Sequence, residues 1–231
     1  MAAAATSEPL TRSVEDYLKT IYHLSLKGAP AGTSEIAHAL ELSAPSVSGM
    51  VKRLAEQGLL EHAPYKGVEL TGAGRRLALR MVRRHRVLET YLVEFLGYDW
   101  DTVHEEAERL EHAVSDTLIE RMAAALGHPQ VDPHGDPIPQ ADGSIVEQAF
   151  TPLPEISVGS HAVIRRVDAS HADRLRYLAT LGLKPGTRLI VVEHQPFNGP
   201  LTIRTDRQDH IIGHELATAL LCSPVSGDAG G

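Results

Sequence analysis

Imidazole and carboxylate side chains recur at helical spacing in one segment of the chain. His104, Glu108 and Glu111 stand at positions i, i+4 and i+7, and His112 follows Glu108 by four residues. On a helix this spacing places them on neighbouring stripes of one surface, beside the apolar residues of the segment. Imidazole nitrogens and carboxylate oxygens gathered in this way are ligands for divalent cations. The alternative is a solvated acidic helix face, which is the commoner meaning of such a segment taken alone.

A second pair of this kind lies earlier in the chain. His85 and Glu89 are also four residues apart, and they interrupt an apolar helical stripe that includes Met81, Leu88 and Leu92. A polar pair inside an apolar stripe needs a partner when it is buried. An ordinary ion pair would satisfy that need. A hairpin of the two helices, however, would bring both sets together, and this combination favours a divalent metal centre.

The elements that would position these side chains divide the chain into helical and β-rich parts. Residues 127–154 are rich in Pro, Gly and Asp, which is typical of a linker. Short strands are predicted after it, at 156–158, 162–164, 189–193, 201–204 and 210–213, with a helix over 172–181, as in a small β-barrel. The full prediction is a lead-in (1–12), a winged helix-turn-helix (13–72), a helical metal-binding domain (73–127), a linker (128–154), the barrel (155–224) and a tail (225–231).

The first of these domains has the pattern of a DNA-binding unit. A short helix over 34–40, a turn over 41–43 and a second helix ending near Gly58 outline a helix-turn-helix, and two short strands at 59–63 and 67–70 outline a wing. The alternative is an ordinary helical subdomain with a hairpin. Small, hydroxylic and basic residues line the outer face and the wing tip, which suits a major groove and its phosphates. These candidate DNA contacts are Ser43, Pro45, Ser46, Ser48, Lys52, Arg53 and Lys66.

Composition and charge agree with this division. The chain has 231 residues, 42% hydrophobic and 23% charged, with one cysteine, which excludes a disulfide framework and a cysteine-based zinc finger. The net charge is −8, but residues 11–86 hold 12 Lys and Arg against 7 Asp and Glu, whereas residues 87–155 hold 2 against 15. The basic N-terminal segment favours contact with an anion, and the acidic segment after it favours contact with a cation. With neither a membrane span nor a secretory signal recognisable, we expect a cytoplasmic protein with no membrane partner.

In order along the chain, these segments resemble the diphtheria-toxin-repressor family of metal-dependent transcriptional repressors. The resemblance rests on segments that span nearly the whole chain: VEDYLKTIYHL (14–24), LSAPSVSGMVKRL (42–54), LTGAGRRLA (70–78), RRHRVLETYL (83–92), VHEEAERLEHAVSD (103–116) and PHGDPIP (133–139). It implies a fold with a mainly α N-terminal winged helix-turn-helix, a helical dimerisation and metal-binding domain, and a small all-β SH3-like C-terminal barrel. It also implies a homodimer on double-stranded DNA with a palindromic operator, and a regulator rather than an enzyme.

The resemblance also implies two metal sites in each protomer. Its regulatory site comprises Asp16, Glu108, Glu111 and His112. Its ancillary site comprises His85, Glu89 and His104, closed by a residue of the linker or the barrel. His171 is the first choice for that closing ligand, and Asp173 and His134 are the other candidates, with Asp132 beside His134.

Manganese is the predicted co-repressor. Iron-responsive members of the family carry sulfur ligands where this chain has Asp16 and Glu108, and hard oxygen ligands suit Mn(II). Fe(II) also accepts a ligand set of histidines and carboxylates, so an Fe(II)-dependent repressor of iron uptake is the first alternative. Two further alternatives are a metal-independent winged-helix regulator with an organic effector and a metal-dependent hydrolase.

Overall fold

A computed structural model describes residues 11–26, 28–63, 67–169, 171–206 and 208–225. The chain forms two compact units. The first comprises Met1–Arg84 with Pro139–Ser144, and the second comprises His85–Ile138 with Ile145–Gly231.

The first unit is a winged helix-turn-helix, as the sequence predicts. Its elements are α1 (Arg12–Ser25), α2 (Thr33–Ala39), α3 (Ala44–Glu56), β1 (Leu60–Ala63), β2 (Gly67–Leu70) and the first half of α4 (Gly72–Leu96). β1 and β2 pair antiparallel, with Leu60 opposite Leu70, to form the wing. Apolar residues of every helix and of the wing are fully buried together, among them Leu18, Ile36 and Val68.

The helix ends of this unit follow from local capping. Ser43 precedes α3, and its side chain accepts a hydrogen bond from the backbone N–H of Ser46. Thr71 precedes α4, where its hydroxyl accepts from the N–H of Gly74 and donates to the carbonyl of Gly58 at 2.8 Å. The start of α4 is thereby tied to the turn that ends α3.

The helical part of the second unit comprises the rest of α4, α5 (Val103–Leu110) and α6 (Asp116–Ala125). Val87, Val103, Ile119 and Ile138 are part of its buried core. The sequence predicts a helix that extends to about His112, but α5 ends at Leu110 and residues 111–113 form a turn. The N–H of Glu111 still donates to the carbonyl of Ala107, four residues back, whereas that of Ala113 donates to Leu110, only three residues back. Among the described residues, none of the helices has the length and apolar character that crossing a bilayer requires.

The C-terminal part of the second unit is a six-stranded antiparallel sheet in the order β3-β8-β4-β5-β6-β7. Its strands are β3 (Thr151–Pro152), β4 (His161–Val167), β5 (Arg188–His194), β6 (Leu201–Thr205), β7 (Asp209–Ile212) and β8 (Leu220–Pro224). Helices α7 (Ala172–Thr180) and α8 (His214–Thr218) connect them. Ile164, Leu178, Val191 and Leu220 are completely buried in its core.

The predictions for this part need two corrections. The strand predicted at 156–158 is absent: a short 3-10 helix, Leu153–Glu155, precedes Ile156, which is buried without pairing to a neighbouring strand. Three elements, β3, α8 and β8, lack a counterpart in the prediction. Between α6 and β3 the chain makes one isolated bridge, from Val131 to Pro137.

Candidate metal centre

Helix α4 supplies the first two side chains of the site. His85 and Glu89 lie one turn apart and are only 6% and 2% exposed. The Nε2 atom of His85 lies 2.9 Å from the Glu89 carboxylate. Val87 and Leu88 between them are buried in the helical core, so the same burial that packs the helix also takes the polar pair out of water.

Helix α5 and the turn after it supply the partners of this pair. His104 Nδ1 lies 3.0 Å from His85 Nε2 and 3.1 Å from Glu89 Oε1. Glu108 approaches both imidazoles at 3.7 Å. Each of His85, His104 and Glu108 offers one ligand atom within 4.8 Å of the others, and these three residues are called the His85 group below.

Glu111 lies behind this group and is fully buried. One carboxylate oxygen lies 2.6 Å from His85 Nδ1, and the other lies 3.4 Å from His112 Nε2. Glu111 therefore connects a residue predicted for the ancillary site with one predicted for the regulatory site.

A second group of ligand-type side chains forms around Glu89. Glu89, Asp132 and His134 are all buried, and each offers one ligand atom within 4.8 Å of the others; they are called the His134 group below. His134 Nδ1 lies 3.8 Å from Glu89 Oε2, while its Nε2 donates to the backbone carbonyl of Trp100 at 2.7 Å. A histidine that binds a metal usually donates its other N–H to such an acceptor, so this arrangement fits a ligand.

The electrostatics of this group are those of closely packed, opposite charges. Burial would raise the pKa of the Glu89 carboxyl, but the charge of His85 and hydrogen bonds from the surrounding imidazoles lower it well below its ordinary value. Burial, followed by the charges of Glu89 and Asp136, raises the pKa of Asp132 to about 7. Burial disfavours the charged form of His134, but the hydrogen bond and charge of Glu89 outweigh it and raise the pKa of His134 to about 9. A divalent cation would satisfy the carboxylates in place of these protons.

Within the second unit, the structure brings some of the predicted ligands together and places others elsewhere. His134 and Asp132 lie against Glu89, whereas His171 is exposed immediately before α7. Asp173 is exposed as well and pairs with Arg176 on the same helix. Asp16 belongs to α1 in the first unit, where it lies 4.0 Å from Arg12.

The sequence predicts Asp132 only as a neighbour of the candidate ligand His134. The signal that marks it is the repetition of acidic residues and histidine in a Pro- and Gly-containing turn, DPHGD over 132–136. In the structure this turn places ligand atoms of both Asp132 and His134 beside Glu89.

The candidate DNA contacts lie on the outer side of α3. Pro45, Ser46, Ser48, Lys52 and Arg53 are all exposed, as is Ser43 before the helix. Val47, Val51 and Leu54 on the opposite side are buried, so the helix presents one polar, basic face. Lys66, predicted at the wing tip, lies outside the described residues.

Comparison with known families matches three consecutive family models. Residues 9–68 match "Iron dependent repressor, N-terminal DNA binding domain", and residues 71–140 match "Iron dependent repressor, metal binding and dimerisation domain". Residues 151–224 match the FeoA domain.

Curated relatives and solved structures of similar proteins extend along most of the chain. The iron-dependent repressor IdeR of Mycobacterium leprae (strain TN) is 34% identical over 223 residues, which cover 91% of this chain and 96% of that protein. The diphtheria toxin repressor of Corynebacterium diphtheriae (strain ATCC 700971 / NCTC 13129 / Biotype gravis) is 30% identical and covers 90% and 95%. A structure described as "Manganese-dependent transcriptional repressor complex with manganese" is 40% identical, with a TM-score of 0.84, and covers 92% of this chain and 100% of that one. The manganese-activated repressor ScaR in its apo form is 32% identical with a TM-score of 0.78, covering 91% and 100%. With this coverage and identity, the chain belongs to the diphtheria-toxin-repressor family of metal-dependent transcriptional repressors.

Proposed function

We propose that this protein is a repressor of metal-homeostasis genes whose co-repressor is Mn(II) and which binds a palindromic operator as a homodimer. The observation that carries the metal assignment is the chemistry of the donors. The His85 group and the His134 group together offer imidazole nitrogens and carboxylate oxygens. Carboxylate oxygen suits Mn(II), whereas sulfur ligands favour softer metals.

Two metal sites are proposed for each protomer. Asp16, Glu108, Glu111 and His112 form the regulatory site. His85, Glu89 and His104 form the ancillary site, and His134 is the favoured fourth ligand. Its Nδ1 lies 3.8 Å from Glu89, and its Nε2 donates a hydrogen bond to the carbonyl of Trp100. His171 and Asp173 are less favoured because both are exposed to solvent.

The regulatory site supplies the proposed link to DNA. Asp16 lies on α1, before the recognition helix α3, and the other three ligands lie on α5 and in the turn after it. These four ligands bind one cation well only when the elements that carry them are held together, so metal binding would select one arrangement of the recognition helices from the alternatives. A bound divalent cation supplies the positive charge that holds the carboxylates together.

The exposed face of α3 would then meet the operator. Ser43, Pro45, Ser46 and Ser48 would contact bases or phosphates, and Lys52, Arg53 and Lys66 would contact phosphates. Gly49 leaves that face without a long polar side chain at its centre, so thymine methyl contacts and DNA shape would carry part of the specificity.

The experiment is a fluorescence-anisotropy titration of metal-stripped protein on promoter fragments from the source genome. Mn(II) and Fe(II) are added separately without oxygen, and chelator follows. We expect affinity for DNA to rise with Mn(II) at a lower midpoint than with Fe(II), and to fall with chelator. A lower midpoint for Fe(II) would make the protein an iron-dependent repressor, and tight, specific binding that ignores both metals would contradict the co-repressor mechanism.

We also propose that the metal centre regulates and does not catalyse. Hydrolysis of a phosphoester by metal-loaded protein, at a rate that depends on Glu89, would contradict this.

A further inference from the structure

The segment from Asp132 to Asp136, called the ligand loop below, is held closed by its own hydrogen bonds. Asp132 Oδ1 accepts from the backbone N–H of His134 at 2.8 Å and of Asp136 at 3.0 Å. The N–H of Asp132 donates to the carbonyl of Asp136 at 2.9 Å. The loop thus fixes the spacing between Asp132 and His134, but these bonds alone do not fix its distance from Glu89 on α4.

Strand β4 of the C-terminal sheet holds the outer side of the ligand loop. The N–H of Val167 donates to the carbonyl of His134 at 2.9 Å. Gly135 has a φ of +88°, and a Cβ at this position would lie 2.0 Å from the carbonyl oxygen of Arg165. The side chain of Arg166 adds an ion pair at 3.5 Å with Asp136. The backbone of the ligand loop therefore packs directly against the backbone of β4 at Gly135, and only glycine permits so close an approach.

Helix α4 holds the inner side through Arg86. This buried guanidinium lies 3.6 Å from the carboxylates of both Asp132 and Asp136, and it donates to the carbonyl of Pro137. Glu89 follows Arg86 by three residues on the same helix, so the loop and Glu89 share one rigid support. The ligand loop is clamped between α4 and β4.

We propose that β4 is a positioning element of the His134 group. The C-terminal domain contributes to metal binding because β4, in close contact with Gly135, holds the ligand loop next to Glu89. This inference rests on the proposed metal function. Residues 165–167 act through His134 and are not ligands themselves. Because metal affinity depends on ligand placement to a fraction of an ångström, loss of the close approach at Gly135 should weaken this group selectively.

Trp100 provides a local probe. It is the only tryptophan of the sequence, its carbonyl accepts the hydrogen bond of His134, and the two rings lie 5.7 Å apart between centroids. Mn(II) bound at His134 should quench its fluorescence. In a separate measurement, the electron paramagnetic resonance signal of free Mn(II) gives the total number of ions that the protein binds.

The decisive comparison is Gly135→Ala against Gly186→Ala. Gly186 has a similar φ of +91°, but a Cβ there meets nothing within 4 Å, so this control carries the backbone strain without the collision. We expect Gly135→Ala to move the midpoint of Trp100 quenching to ~10–100-fold higher Mn(II), the range typical of lost outer-sphere support. Ion binding elsewhere in the same molecules should stay unchanged, which a general loss of folding would not allow. Equal midpoints for the two variants would overturn the proposal.

A second substitution keeps the proposal testable if Gly135→Ala fails to fold. Arg166→Gln removes the ion pair with Asp136 and adds no atom, so the quenching midpoint should rise, and Arg166→Lys should restore part of it. An unchanged midpoint in Arg166→Gln would overturn the proposal.

His134→Ala separates failure of the positioning from failure of the site. If this variant keeps both the quenching and the full number of bound ions, the His134 group binds no metal. Both the proposed site and the positioning role of β4 are then wrong. If the variant instead loses the quenching and the full number of ions while Gly135→Ala behaves as Gly186→Ala, the site stands and the positioning role of β4 is wrong.

Discussion

The imidazole Nδ1 of His85 lies 2.6 Å from the carboxylate Oε2 of Glu111, and both side chains are buried. The two residues are 26 positions apart, on α4 and on the turn after α5. The two proposed metal sites therefore share a hydrogen bond, and substitution of either of these two residues is expected to alter both sites.

Substitution of Glu111 tests this connection. Glu111→Gln keeps the size of the side chain but removes the charge that orients His85 and contributes to the regulatory site. We expect metal affinity to fall at both sites, by ~10–100-fold at the ancillary site, where Glu111 acts only through His85. Isothermal titration with Mn(II) resolves the two classes of site. If only one class weakens, the two sites are independent.

The pH dependence of metal binding follows from the shifted groups of the His134 group. The pKa of Asp132 is raised to about 7 and that of His134 to about 9, so near pH 6 both hold a proton that a cation must displace. As pH rises from about 6 to about 8, Asp132 loses its proton and the proton on His134 becomes easier to displace, so affinity should rise by ~tenfold per pH unit for each proton displaced. Titration of Trp100 fluorescence at the two pH values measures this. Equal affinities would contradict the assignment of these residues as ligands.

Lys52 tests the proposed phosphate contacts. Its side chain is exposed on the outer face of α3, and Lys52→Ala removes one cation without altering the buried face. We expect weaker binding to every DNA sequence and a salt dependence reduced by ~1 in the slope of log K against log salt. Lys184→Ala, an exposed lysine of the C-terminal domain, is the matched control and should leave the slope as in the wild type. A slope that Lys52→Ala does not change would remove this residue from the interface.

Two glycines within helices should respond to alanine in opposite directions. At Gly49, on α3, a Cβ would meet nothing within 4 Å, so Gly49→Ala should stabilise the protein by ~0.5–1 kcal/mol through reduced chain entropy. At Gly74, on α4, a Cβ would lie 2.0 Å from the carbonyl oxygen of Leu59, and Gly74→Ala should destabilise by ~1–3 kcal/mol. Urea unfolding of both variants measures the difference. Equal effects would mean that α4 does not approach the carbonyl of Leu59 this closely.

Local periodicity predicts much of the helical site. The four-residue spacing of His85 with Glu89 and of His104 with Glu108 depends only on helix geometry, and the structure places all four within one cluster. The capping residues Ser43 and Thr71 and the buried face of α3 follow from the same local rules.

The position of His134 beside Glu89 could not follow from such rules. The loop that carries His134 lies close to Arg165 at Gly135, thirty residues earlier in the chain, and periodicity in the sequence does not predict such a contact. Strand β8 was not predicted, for a similar reason. It is short, ends in Ser223 and Pro224, and is a strand because it pairs with β4 at a distance of about sixty residues in the sequence.

The measurement that tests the central claim most directly is the metal response of DNA binding in Glu108→Ala and Glu105→Ala. Both carboxylates lie on α5, but Glu108 contacts the two imidazoles of the His85 group, whereas Glu105 is exposed and pairs with Arg109. By fluorescence anisotropy, we expect Glu105→Ala to gain affinity for operator DNA on addition of Mn(II), as the wild type does. Glu108→Ala should keep its fold and lose this gain. A response of Glu108→Ala equal to that of Glu105→Ala would contradict the regulatory metal site.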